Sequence, residues 1–293
     1  GDEAMKDQWK ASARIQAQMK VLGLKDEHAL QSWFIRRIER YLNAHSRNLV
    51  GWDEILDGGL APNATVMSWR GSDGAVAAAR AGHDAILSPS PDLYLDHVQA
   101  DGPGEPPGRG GAITLGSVYA FDPEPRSIPP EQRRHILGLQ GNLWTEHVRT
   151  EERAAYMAFP RMSALAEIAW SQSGKRDLGA FADRLVPQLE RLKPMGLDAA
   201  DSAFTPQAVA RLEDGKAKVA LSNQIGSDIR YTLDGRAPSA QSPRYTTPLV
   251  LPLPSHVRAV AFRGTRALPG SLDTVYDART IRTLGALASL RKE

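Results

Sequence analysis

Residues 64–89, ATVMSWRGSDGAVAAARAGHDAILSP, decide the fold. ATVMSW at 64–69 is short and partly apolar, with polar flanks, and predicts a buried strand. Ser72 opens an alanine-rich helix over GAVAAARAG, and HDAILSP at 83–89 makes a second strand that prolines end. Strand, helix and strand at these lengths form a βα unit, and such units build a parallel sheet.

The same alternation extends outward. NLVGWDEI at 48–55 and HILGLQGNLW at 135–144 predict two further strands. Upstream, Trp9, Ile15, Met19 and Leu22 recur near helical spacing, with Gly23 as the stop. Asp26 caps a second helix whose expected apolar stripe is Leu30, Phe34, Ile38, Tyr41 and Leu42. A long helix is predicted over 151–170, kinked at Pro160, and another over 178–193. After the 83–89 strand runs a long loop, 90–116, containing GPGEPPGRGG. Its prolines, and the lack of a following GK[ST] helix start, argue against a phosphate cradle.

Beyond about residue 202 the composition changes. KAKVALSN, DIRYTLDG, TPLVLPL, HVRAVAFRG and TVYDAR are short β-type runs separated by Gly, Pro, Asn and Asp. That spacing predicts a small antiparallel sandwich. The expected division is therefore 1–201, an α/β domain, and 202–293, a β-sandwich whose last residues, from about 280, fray.

Composition limits the chemistry. The 293 residues are 42% hydrophobic and 24% charged, with a formal net charge of +2. That is ordinary for a globular chain, and it offers no electrostatic case for nucleic acid or an anionic membrane surface. No apolar run approaches the roughly eighteen residues of a membrane span. Cysteine is absent, which excludes disulfides, thiolate nucleophiles and zinc–cysteine sites. The seven histidines show no HxxxH or HxH spacing, so no metal or other cofactor is expected. The chain opens on Gly1 rather than Met and is expected to be part of a longer protein whose signal region lies elsewhere; a periplasmic or secreted location is expected.

The candidate site residues fall at predicted strand ends. GWDE places Trp52 at one, MSWRG places Trp69 at the next, PDLYLDH places Tyr94 and Asp96 after the third, and NLWTEH places Trp144 and Glu146 at the fourth. In βα architectures ligands bind at the carboxyl ends of strands. Each tryptophan alone reads first as core packing. Aromatic rings and carboxylates together at equivalent positions suit a sugar, whose C–H faces stack on rings and whose hydroxyls donate to carboxylates. Asp2 and Glu3 form an acidic pair directly after a glycine, a pattern that by itself is usually solvated surface.

Taken in order, these motifs resemble glycoside hydrolase family 20, the β-N-acetylhexosaminidases. Gly1, Asp2 and Glu3 match the end of the family's HxGGDE motif. GWDEIL, VMSWRG, YLDH, GLQGNLWTEHV and YMAFPRMSALAEIAWS follow at suitable distances, over about residues 1–190. RYTLDGRAPS and YTTPLVL are similar to the C-terminal sandwich of bacterial chitobiase-type members. The resemblance implies about strands four to eight of a (β/α)8 barrel, then a small immunoglobulin-like all-β sandwich. It also implies that the barrel's first half, with an arginine of the pocket, belongs to sequence before Gly1.

The implied activity is exo-acting, retaining hydrolysis of terminal N-acetylglucosamine or N-acetylgalactosamine by substrate-assisted catalysis. In that scheme the sugar's own acetamido oxygen attacks the anomeric carbon. Glu3 is general acid and then base, and Asp2 balances the charge of the oxazolinium. Tyr94 aims the acetamido oxygen, Trp52, Trp69 and Trp144 wall the sugar, and Asp96 and Glu146 bind its hydroxyls at positions four and six. The implied partner is an N-acetylhexosamine-terminated oligosaccharide. Two other readings stay open at this point: a conventional two-carboxylate glycosidase with Glu146 as nucleophile, and a sugar-binding protein without catalysis. Residues 1–293 alone are expected to be inactive for want of the opposite wall.

Overall fold

The computed structural model describes residues 3–102 and 104–290 and divides into two compact units, one of residues 1–93 and 122–140, the other of 94–121 and 141–293.

The first unit is built on four parallel strands: β1 (Val50–Trp52), β2 (Thr65–Ser68), β3 (Ala85–Leu87) and β4 (Ile136–Leu139). They pair in the order β1-β2-β3-β4, with Trp52 opposite Met67 and Ser68 opposite Leu87. Spatial order equal to chain order, with every neighbour parallel, is how a (β/α)8 barrel is laid down; a doubly wound sheet would reverse partway. Helix α4 (Asp73–Arg80) crosses over between β2 and β3, and its Val76 and Ala79 pack with Ile128 and Ile136.

The strands are shorter than the sequence suggested. Ladder pairing of the 48–55 run stops at Trp52, because Asp53 and Glu54 enter a 3-10 turn where their carboxylates are used as acceptors. The 135–144 strand stops at Leu139. Beyond it Gln140 still donates to the Leu87 carbonyl.

Upstream, the first predicted helix is two: α1 (Lys6–Ala11) and α2 (Ala13–Val21). They are parted at Ser12, whose Oγ accepts the Ile15 N–H at 3.4 Å. Gly23, at φ +65, ends the pair as expected. Helix α3 (Glu27–Ala44) is capped by Asp26, again as expected. Its buried face is not the apolar stripe. Phe34 and Tyr41 are exposed, and the buried residues are Gln31, Ser32 and Glu39. Each is hydrogen-bonded to the 54–63 backbone: Gln31 Nε2 to the Glu54 carbonyl, Ser32 Oγ to that of Gly59, and the Asn63 N–H to Glu39. Polar pairing to an irregular segment thus outweighed the apolar pattern.

In the second unit, α5 (Leu115–Ala120), unforeseen in the sequence, starts where the long loop ends and is capped by Thr114. The predicted kinked helix is α6 (Glu151–Ala158) and α7 (Arg161–Trp170), separated at Phe159–Pro160, where proline cannot donate to the helix ladder. Helix α8 (Leu178–Leu192) starts at the Asp177 cap, and its Phe181 stacks on Tyr119 with ring centres 4.9 Å apart.

Seven antiparallel strands follow: β5 (Gln207–Glu213), β6 (Lys216–Ser222), β7 (Asp228–Thr232), β8 (Leu249–Leu251), β9 (Ser255–Arg263), β10 (Arg266–Ala267) and β11 (Leu272–Tyr276). One sheet is β5-β6-β8; in the other β9 pairs with β7, β10 and β11. The sequence missed β5 and β10. Val219, Leu221, Ile229, Leu251, Val257 and Tyr276 share the core. Of the stretch expected to fray, the described residues to 290 form α9 (Ala278–Leu290), capped by Asp277, and Ile281 is buried in that same core.

The sandwich is tied to the 94–121 segment through Gln224. Its side chain accepts the Leu115 N–H and donates to the carbonyls of Gln99 and Ser202. Arg263 grips Asp183 of α8 through one guanidinium edge, Nε at 2.7 Å and Nη2 at 2.6 Å.

Candidate active site

In the first unit the strand ends converge on a buried acidic pair. Asp53 is 1% exposed and Glu54 6%. Asp53 accepts the backbone N–H groups of Trp69 and Arg70, and the Arg70 Nε at 2.6 Å. Glu54 accepts the Trp69 indole N–H at 2.8 and 3.1 Å and lies 3.3 Å from Arg70 Nε. Burial pulls the Arg70 guanidinium down, but the hydrogen bond and charge of Asp53, with Glu54 and Asp57, raise it on balance. The Trp69 ring is therefore fixed by a carboxylate rather than by apolar packing alone. Trp52, half-buried, ends β1 opposite Met67.

Gly74, in the first turn of α4, shows how tightly this corner is built. A Cβ there would lie 2.8 Å from both Asp53 Cβ and Ser68 Oγ. Ser68 Oγ also accepts the Ala75 N–H, a task the sequence had left to Ser72. Asp53, Glu54 and Arg70 were not singled out from the sequence. The signal was present in WDE and WRG, two charged triplets at neighbouring strand ends. Glu3 occupies an exposed turn in this unit. Gly1 and Asp2 lie outside the described residues.

In the second unit Tyr94, Asp96 and Trp144 come together. Tyr94 and Trp144 have ring centres 6.4 Å apart at 53°. Tyr94 is 5% exposed; burial raises its phenol, opposed by hydrogen bonds with Trp144 and Asn142, so it stays a protonated donor at neutral pH. Leu95 donates to the Asn142 carbonyl at 2.6 Å, which joins the Tyr94 segment to the one carrying Trp144. Asp96 is 3% exposed and pairs with Arg109 at 3.5 Å, while the Arg109 guanidinium lies 5.9 Å from the Tyr94 ring centre. Trp144 is 41% exposed, and Glu146 is exposed. Trp144 stands several residues past β4, on a loop, rather than at the strand end the sequence suggested, and Tyr94 stands after β3, several residues beyond its end.

Beneath this cluster lies Arg161, fully buried. It gives four hydrogen bonds, all to backbone carbonyls: Leu95 at 2.7 Å, His97 at 3.0 Å, Ile113 at 2.8 Å and Met157 at 2.6 Å. Desolvation lowers its guanidinium to about 10, partly offset by Glu105 and Asp96, so it remains a cation at neutral pH. His97 Nδ1 lies 2.6 Å from the Gly110 carbonyl and 2.9 Å from that of Gly111, closing the 96–111 segment on itself. Among the described residues no group of three or more His, Cys, Asp or Glu side chains could hold a metal ion, and no helix is long and apolar enough to cross a membrane.

Parallel strands in barrel order, with tryptophan and carboxylate groups just past the ends of β1 and β2, define a (β/α)-barrel protein of the kind that binds ligands at its strand ends. Residues 1–173 match the catalytic-domain model of glycosyl hydrolase family 20, and residues 213–269 match the chitobiase/beta-hexosaminidase C-terminal domain. The chain belongs to glycosyl hydrolase family 20. It is 45% identical over 255 residues to a beta-hexosaminidase of Porphyromonas gingivalis, covering 85% of this chain and 33% of that protein. An exo-beta-N-acetylglucosaminidase of Vibrio harveyi, solved with N-acetylglucosamine, is 32% identical with a TM-score of 0.61, over 66% of this chain and 30% of that one. Chitobiase of Flavobacterium johnsoniae is 31% identical at 0.58, over 67% and 29%. The chain thus spans about a third of the length of these relatives.

Proposed function

We propose that the whole protein containing this chain is an exo-acting, retaining β-N-acetylhexosaminidase that releases terminal N-acetylglucosamine or N-acetylgalactosamine from chitooligosaccharide-like glycosides. The observation that carries the reading is the Tyr94–Asp96–Trp144 cluster. A buried phenol that keeps its proton stands against an aromatic ring, with a buried carboxylate two residues on. Such a set can orient an acetamido oxygen and hold hydroxyls of one sugar.

Within the reading, Glu3 protonates the departing glycosidic oxygen and later takes a proton from water, and Asp2 balances the positive charge on the acetamido nitrogen. The nucleophile is the substrate's acetamido oxygen, so no protein carboxylate bonds to the sugar. Trp52 and Trp69 give it aromatic surface, and Glu146 takes hydroxyls with Asp96. Residues 1–293 by themselves turn over little substrate, and the protein works in the periplasm or outside the cell.

The test is an assay of the whole protein on 4-nitrophenyl N-acetyl-β-glucosaminide with a thiazoline mimic of the oxazolinium as inhibitor. The reading expects turnover and tight competitive inhibition. Turnover without thiazoline inhibition would favour a conventional two-carboxylate glycosidase, and sugar binding without turnover would favour a lectin-like protein. Residues 1–293 expressed alone should lose at least a hundredfold in rate, since even about 1 Å of misplacement can cost that much. A loss under tenfold would show that the remaining sequence is dispensable.

A further inference from the structure

We infer that Arg161 is a positioning residue: its guanidinium fixes the backbone on both sides of Asp96, and so sets which hydroxyl arrangement of the terminal sugar the site accepts. The inference rests on the reading above and names a determinant of its specificity.

Three features carry it. First, Arg161 has no exposed surface, and its hydrogen bonds run to Leu95, His97, Ile113 and Met157, all through backbone carbonyls. These carbonyls come from separate stretches of chain, two from the segment that bears Asp96. Second, Leu95 and His97 flank Asp96, so the two η nitrogens hold the peptide on either side of it and leave its Cα little freedom to turn. Asp96's own carbonyl accepts the Arg109 N–H at 3.0 Å, which closes the remaining route. Third, the arrangement is costly in the way a specificity device is costly. A buried cation hydrogen-bonded only to carbonyl dipoles loses hydration that the charges of Glu105 and Asp96 return only in part, whereas an apolar side chain of similar length would fill the volume without that penalty. Arg161 Nε is itself buried with no hydrogen-bond partner. What the cation supplies, and an apolar side chain could not, is a planar fork that reaches several carbonyls at once.

Lysine would keep the charge and lose the fork. It could satisfy one or two carbonyls but not all four in their present geometry. The Asp96 segment would then relax while the fold stayed in place. If Asp96 binds the hydroxyl at position four, a relaxed Asp96 discriminates poorly between glucosaminide and galactosaminide, which differ only there.

The experiment compares the whole protein with its Arg161→Lys and Arg161→Gln variants, each checked for folding by circular dichroism and assayed well below its melting temperature. Substrates are the 4-nitrophenyl N-acetyl-β-glucosaminide and galactosaminide. The expected result is a ratio of kcat/KM values that moves toward one by fivefold or more, with a raised KM for the preferred sugar. Introducing Arg161→Lys into an Asp96→Asn background should leave that background's ratio unchanged. A residue needed only for folding would lower kcat on both sugars equally, leaving each KM and the ratio as they were, and that result would overturn the inference. Failure of both variants to fold would likewise assign Arg161 to folding alone. Inactivity of the unmodified protein on both sugars would instead defeat the functional reading, and the inference with it.

Discussion

The indole N–H of Trp69 donates to both carboxylate oxygens of Glu54, at 2.8 and 3.1 Å, and Glu54 is buried. The ring expected to face a sugar is thus oriented by a charged group beneath it. Truncating Glu54 to alanine strands a part-buried N–H and removes one partner of Arg70, a change worth about 1–3 kcal/mol. Glu54→Ala should lower the urea midpoint with an unchanged slope and weaken sugar binding through Trp69. A midpoint equal to that of the parent would mean that apolar packing alone holds the ring.

Gly74→Ala should reverse the usual sign of a glycine-to-alanine change inside a helix. In an open helix the exchange stabilises by about 1 kcal/mol. Here the new methyl would sit 2.8 Å from Asp53 Cβ and Ser68 Oγ, both in buried residues. The expected outcome is destabilisation, read by urea unfolding, together with altered Trp69 fluorescence, since Asp53 accepts the Trp69 backbone N–H. A stabilised variant would show that α4 can shift away from the strand ends at no cost.

Tyr276 gives a test in alkali. Burial in the sandwich core pushes its phenol up to about 12 from the ordinary 10.0. A phenol whose folded value is raised adds stability that is complete below the unfolded value and is lost as pH climbs from about 10 toward 12. The parent should therefore lose more stability between about pH 9 and pH 11 than Tyr276→Phe does. Equal losses in both would mean that this phenol ionises without unfolding the sandwich.

Glu3→Gln in the whole protein should depend on the leaving group. Glutamine cannot donate a proton, so a chitooligosaccharide, with a poor leaving group, should lose at least a thousandfold, on the order expected for a positioned acid. A nitrophenyl glycoside needs little protonation in its first step and should lose far less. Equal losses on both substrates would remove Glu3 from the role of acid.

The parallel sheet was legible because βα periodicity is local. ATVMSW and HDAILSP needed only their own composition and the helix between them, and the structure pairs them as β2 and β3. The buried face of α3 was not legible, because its determinants are long-range. Gln31, Ser32 and Glu39 look like surface residues until the 54–63 backbone is there to pair with them. The same holds at the site. Tyr94, Asp96 and Trp144 could be singled out from motif order as candidates that the structure brings together, but Arg161 could not. Inside YMAFPRMSALAEIAW it reads as an ordinary helical arginine, and only its distances to Leu95, His97 and Ile113, up to 66 residues away, show what it holds.

Gln224 has a consequence for how such a protein can change over generations. A small sandwich following a catalytic barrel looks like a cassette that recombination could exchange or discard. Yet one amide in a turn of that sandwich completes the hydrogen bonding of Gln99, Leu115 and Ser202, and Gln99 and Leu115 belong to the stretch that continues from Tyr94 and Asp96. A chimaera receiving a foreign sandwich would leave the Leu115 N–H without this acceptor unless the donor brought an equivalent side chain to the same spot. The two pieces are therefore expected to be inherited as one unit, and their junction is a poor place for shuffling.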